Sequence, residues 1–70
     1  MGLYIFNTEY LIGDSVIIKT RDGQKISGQI IDIYNTADGY HTSPIISLLI
    51  YSGTELYDIE DYMILDIRYS

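Results

Sequence analysis

Cysteine and tryptophan are absent from this 70-residue chain, and proline and histidine each occur once. Without cysteine there is no disulfide framework, no thiolate metal ligand and no thiol nucleophile, so two of the usual staples of a small scaffold are missing. No apolar run approaches the roughly 18 residues that span a bilayer, and the N-terminus lacks the basic stretch that opens a secretory signal. Phe6 stands where an N-myristoylation signal requires Ser or Thr. Basic residues are scarce as well: four Lys and Arg against ten Asp and Glu leave a net charge of −6. Such a field repels phosphate backbones and anionic lipid at long range. The expectation is a cytoplasmic protein with no cofactor and no membrane contact, whose partner is another protein or a second copy of itself. Nucleic acid is the less favoured partner.

What is present is a 47% hydrophobic composition, dense in Ile and Tyr. A chain of this length buries only about 60% of the surface its unfolded form exposes, enough for one core and no second domain. Residues 1–70 therefore form a single unit. From Val16 the run Val-Ile-Ile-Lys-Thr is β-branched and suits a pleated strand. Asp22-Gly23 tolerates positive φ at a hairpin tip, and a second β-rich run, 24–34, follows at once. Within it Ile26, Gly28 and Ile30 share one parity, whereas Ile31 and Ile33 take the other. A period of two cannot change phase without a bulge or a bend, and Gly28 has no Cβ to obstruct one.

Residues 35–44 are polar and rich in turn formers, which predicts a long loop ending at Pro44. Ile45 to Tyr51 reads as a central strand, residues 54–57 as a short fourth strand, 58–61 as a 3-10 turn and 62–68 as the closing strand. Residues 1–13 read as an N-terminal covering segment. Leu3 and Ile5 alternate with Tyr4 and Phe6 as in a strand, while Tyr10-Leu-Ile also suits a short helix.

The segment Val16 to Ile30, with Gly23 closing the turn and Gly28 at the bend, resembles the first hairpin of Sm-like and other SH3-like small barrels. Asp58 to Ile67 is similar to the 3-10 turn and closing strand of such proteins. The resemblance implies an all-β fold, a strongly bent five-stranded SH3-like barrel with one 3-10 turn before the last strand. Sm-like proteins bind RNA bases through an Asp and Asn constellation and a late Arg-Gly pair. Here only Tyr34-Asn35 and Arg68-Tyr69 occupy the corresponding places, so RNA binding is not carried over.

Chemistry-bearing residues are few. His41 lies beside Thr42 and Ser43 in the polar loop, where neighbours on one segment rarely reach triad geometry; a solvated histidine is the expectation and no catalytic residue is assigned. Asp58, Glu60 and Asp61 lack the spacing of a calcium loop, so no metal site is assigned. Eight Tyr against one Phe is the unusual count. Rings at strand ends make good interface anchors, and Tyr34, Tyr40, Tyr57 and Tyr62, with Tyr69, flank predicted loops. Glu55, Asp58, Glu60, Asp61 and Asp66 crowd the C-terminal part. The expected protein-binding set is therefore Tyr34, Tyr40, Tyr57, Tyr62, Glu55, Asp58, Glu60 and Asp61.

Lys19 and Arg21 share a strand parity, and Lys25 lies across the hairpin, which predicts a three-charge patch. The function expected is a non-catalytic protein-binding or assembly module, of a kind common among phage and mobile-element accessory proteins. One version is an inhibitor whose acidic face mimics nucleic acid. The alternative is an Sm-like oligomer binding RNA or DNA through Lys19, Arg21 and Lys25.

Overall fold

The computed structural model describes residues 2–36 and 45–70. Among these residues seven strands follow in chain order: β1 (Gly2–Ile5), β2 (Thr8–Leu11), β3 (Ser15–Thr20), β4 (Lys25–Thr36), β5 (Ile45–Tyr51), β6 (Leu56–Glu60) and β7 (Ile64–Tyr69). They form a two-stranded sheet, β1-β2, and a five-stranded antiparallel sheet in the order β6-β5-β4-β3-β7. The fold is all-β. Among the described residues the larger sheet is open, with β6 and β7 as its two ends.

The β3–β4 hairpin forms as its turn chemistry dictates. Gly23 takes φ +93°, which a side chain would resist. The Thr20 hydroxyl accepts the Gln24 N–H at 3.0 Å, and Gly23 N–H donates to the Thr20 carbonyl at 3.1 Å. Val16, Ile18, Ile26 and Ile30 then all point to one side and are buried.

The phase change in β4 is a bulge at Ile31: Ile30 pairs with Ile50, but Asp32 pairs with Leu49, so Ile31 is the extra residue. Ile30 is fully buried and Ile31 exposed, as a flipped parity requires. Before the bulge β4 pairs with β3, and from Gln29 onward it pairs with β5. One long strand thus links two pairings, and Gly28 marks the crossing. A Cβ there would stand 2.5 Å from the Tyr51 carbonyl oxygen and 2.8 Å from Ile50 Cγ2.

Several expectations need correction. Residues 3–12 are neither helix nor a plain extended cover; they are a second hairpin, whose loop Phe6-Asn7 holds φ +51° and +66°. Positive φ at both central residues is what a two-residue hairpin loop demands, and Asn7 tolerates it far better than Phe6. The 3-10 turn is Asp61–Met63, not 58–61, and the fourth strand runs Leu56–Glu60 rather than 54–57, so that the closing strand occupies Ile64–Tyr69 rather than 62–68. Both shifts have one cause. Ile59 is buried beside its ladder partner Leu48, which holds Asp58, Ile59 and Glu60 extended despite their turn-like composition. The expected loop 35–44 begins inside β4, and 37–44 lie outside the described residues.

The β1–β2 hairpin turns Ile5 and Tyr10 into the core and leaves Tyr4, Phe6 and Leu11 exposed. An isolated hairpin is marginal in water, so its attachment decides whether it persists. Tyr10 supplies that attachment: its hydroxyl donates to the Ile67 carbonyl at 3.2 Å, and its ring lies 5.0 Å from that of Tyr69. The Tyr69 hydroxyl in turn donates to the Glu9 carbonyl. Tyr10→Phe keeps the packing and loses one hydrogen bond, so we expect a loss of about 1 kcal/mol. In a domain of this size that lowers Tm by about 4–8 °C. Calorimetry checks it, and an unchanged Tm would show that the hydroxyl contributes nothing.

Candidate functional site

The described surface is shaped by the β3–β4 hairpin tip, which has a groove on each side. The first, of about 220 Å³, runs between the tip and β6. Asp22, Gln24 and Ile26 line one wall, and the whole run Tyr57-Asp58-Ile59-Glu60 lines the other, with Met63 between them. Small-molecule sites usually enclose about 300–1,000 Å³. This groove is smaller and open, a poor enclosure for a ligand but adequate for side chains of a partner. Its character is acidic over an apolar base: three carboxylates, Asp22, Asp58 and Glu60, beside Ile26, Ile59 and Met63.

The second groove, about 250 Å³, is lined by Lys19, Lys25 and Leu65, together with Gly23 and Gln24 of the tip. Lys19 faces Lys25 directly across the β3–β4 ladder and Asp66 across the β3–β7 ladder. Arg21 does not join them. The register shift between Lys19 and Thr20 is a bulge of β7 at Leu65, while Arg21 lies just past the end of β3 and is tied to the 3-10 turn instead. Its backbone N–H donates to the Met63 carbonyl and its Nε–H to the Tyr62 carbonyl at 2.8 Å. The three-charge patch reduces to a pair.

The expected protein-binding residues are partly gathered. Tyr57, Asp58 and Glu60 line the acidic groove. The Tyr34 hydroxyl donates to the Asp58 carboxylate, joining β4 to β6 on the sheet's outer face. Glu55 accepts the Tyr57 hydroxyl at 3.0 Å. Tyr62 is exposed within the 3-10 turn that Asp61 begins, and Tyr40 lies outside the described residues. Sequence reasoning missed Asp22 and Gln24, which looked like turn residues only. It also missed the exposed apolar positions Leu56 and Leu65: opposite parity to buried Ile59 could have revealed Leu56, whereas Leu65 shares the parity of buried Ile67 and is turned outward only by the bulge in β7. Among the described residues no group of three or more His, Cys, Asp or Glu is placed to hold a metal ion. Nor is any helix there long and apolar enough to cross a membrane.

Among the described residues three tyrosines have raised pKa values. Donating to Asp58 pushes up Tyr34, donating to Glu55 pushes up Tyr57, and burial, then the neighbouring Tyr69, pushes up Tyr10. In each the folded state holds its proton more tightly than the unfolded chain, whose tyrosines titrate near 10.0. Stability is therefore fully present below pH 10 and falls as pH rises through the folded values. Chemical denaturation between pH 8 and 11 should show this decline, with Tyr34→Phe flattening it; a pH-independent midpoint would contradict the hydrogen-bond assignments.

No protein-family model matches this chain, and comparison with curated proteins and with solved structures finds no similar one.

Proposed function

We propose that this chain is a non-catalytic protein-binding or assembly module, built on the strongly bent five-stranded plan of the SH3-like barrels. Support for that plan comes from the order β6-β5-β4-β3-β7, in which the first and last of the five strands lie side by side. A single 3-10 turn leads from β6 to β7, and the Gly28 bend with the Ile31 bulge curves the longest strand.

The observation that carries the binding role is the state of the two sheet ends. Among the described residues β6 and β7 each pair on one side only, and each displays large exposed apolar residues, Leu56 on one and Leu65 and Tyr69 on the other. Exposed strand edges invite pairing and are normally blunted. Tyr62 and Leu56, more than half exposed, are the anchors of this reading. Its test is a photo-crosslinking residue placed at Leu56 or Tyr62 in cells that make the protein, with Thr54 as the control position. Discrete adducts at the first two positions, to another protein or to a second copy, are expected; none at either would contradict a binding role.

A second reading, an Sm-like oligomer on RNA or DNA, is favoured by the Lys19–Lys25 pairing beside the second groove. It is opposed by the net charge of −6 and by the engagement of Arg21 with Tyr62. Titration with labelled single-stranded RNA at low salt decides it: no shift at high micromolar protein removes it.

A further inference from the structure

The acidic groove runs along a strand edge rather than over a strand face. Successive residues of a strand point to opposite sides of the sheet, so a groove over one face touches alternate residues. Here four consecutive residues, Tyr57 to Glu60, line the same groove. β6 ends the sheet, and its backbone makes no hydrogen bond among the described residues beyond its ladder with β5. Where the groove opens, unpaired N–H and C=O groups are therefore presented beside it.

The chemistry on the two sides of that edge differs. Asp58 and Glu60 share the sheet's outer side, two residues apart, which is roughly 6.8 Å along a strand. The outer side gains a further carboxylate from Asp32, which lies in the same cross-strand row as Leu49 and Asp58. The other side presents the half-buried Tyr57 and, across the groove, Met63, with Ile59 and Ile26 buried beneath them. We infer that β6 is a docking edge for an extended basic segment of another protein, one that alternates Lys or Arg with apolar residues. Added as a strand, it places its cations beside Asp58 and Glu60 and its apolar side chains against Tyr57 and Met63, while its backbone completes the β6 ladder.

Charge complementarity selects the occupant. A net charge of −6 attracts a cationic segment over the whole molecule, whereas two copies of this chain repel each other. The chain's four Lys and Arg offer little that could fill its own groove: Arg21 is held by Tyr62, and Lys19 lies between Lys25 and Asp66. This inference rests on the binding reading above and specifies its partner.

The test titrates isotope-labelled protein with the peptide acetyl-Lys-Val-Lys-Val-Lys-Val-amide and with its backbone N-methylated counterpart, which keeps every side chain but donates no hydrogen bond. The first should shift amide resonances of 56–60 and of Asp22 and Gln24. Methylation should weaken binding by at least about tenfold, the effect of losing two or so backbone hydrogen bonds. Asp58→Asn with Glu60→Gln should weaken it by a similar factor while preserving the fold, because the side-chain amide introduced in place of the Asp58 carboxylate keeps a carbonyl oxygen to accept the Tyr34 hydroxyl. Equal binding of both peptides, or shifts confined to other surfaces, overturns the docking edge. So does light scattering that finds the protein alone to be an oligomer whose β6 amides are protected, since a second copy then holds the edge. If no peptide binds but the crosslinked adducts persist, this inference falls and the binding reading stands; if the adducts are absent too, both fall.

Discussion

Gly28→Ala is expected to lower the melting temperature by about 10 °C or more, a larger effect than any other single-methyl change in the protein should have. The added Cβ would lie 2.5 Å from the Tyr51 carbonyl oxygen and 2.8 Å from both the Tyr51 carbonyl carbon and Ile50 Cγ2. Two of those three atoms are backbone. They cannot swing aside as a flexible side chain would, because Tyr51 is held in ladders with β4 on one side and β6 on the other. Relief requires β4 and β5 to separate where β4 passes from one partner to the next. Overpacking of this sort costs about 1–3 kcal/mol and at times more, against a core that in so small a scaffold supplies roughly 3–5 kcal/mol. Ser27→Ala, one residue away on an exposed position, should stay within about 0.5 kcal/mol. Thermal unfolding of the pair checks the claim, and equal behaviour of the two variants would show that β4 and β5 do not approach as described.

Ile30→Ala should abolish cooperative unfolding at room temperature or come close to it, while Ile31→Ala, the next residue along, should be nearly silent. Ile30 is fully buried at the point where the sheet bends, among Ile18, Leu48 and Ile50. Its backbone is also a junction: its N–H donates to the Asp14 carbonyl at 2.9 Å and its carbonyl accepts Gly13 N–H at 2.7 Å. Truncating a buried Ile to Ala costs about 2–5 kcal/mol, comparable to all the stability such a core provides. Ile31 is the bulged residue and is 41% exposed, so its truncation removes little buried surface. Urea titration of both variants reads the contrast. Similar losses at the two positions would mean that the parity does not change at Ile31, and the bulge would be wrong.

Those two positions also mark how much of the fold can be read from the chain. Asp22-Gly23 and the switch from Ile30 to Ile31 are decided by local chemistry, a positive φ in one case and the two-residue period in the other, and both are found where the sequence puts them. Strand β5 likewise has the expected limits, Ile45 and Tyr51. The 3-10 turn falls later than expected because composition is a weaker force than burial: Ile59 belongs with Leu48, and that partnership is invisible without the β5–β6 register. The N-terminal hairpin is ambiguous in the sequence because Phe6-Asn7 is not the Asn-Gly pair that usually announces such a loop.

The candidate site is less legible than the fold. Asp58, Glu60 and Tyr57 can be singled out by charge and ring count, but Asp22 reaches them only through the bend that brings the hairpin tip against β6. Arg21 illustrates the opposite error. Period-two spacing from Lys19 puts it in a basic patch, yet partners from the far end of the chain, Tyr62 and Met63, take both its guanidinium and its backbone N–H. Sequence spacing determines which residues share a strand face; it does not tell which strand edge remains open.

That open edge is the central claim, and residue-resolved amide hydrogen exchange in the free protein tests it most directly. Amides of Ile18, Ile30, Leu48 and Ile50, within strands paired on both sides, should exchange slowest, and the outward-facing alternate amides of Leu56–Glu60 should exchange orders of magnitude faster. Uniform slow exchange along Leu56–Glu60 would contradict the account, because the edge offered to a partner would already be covered.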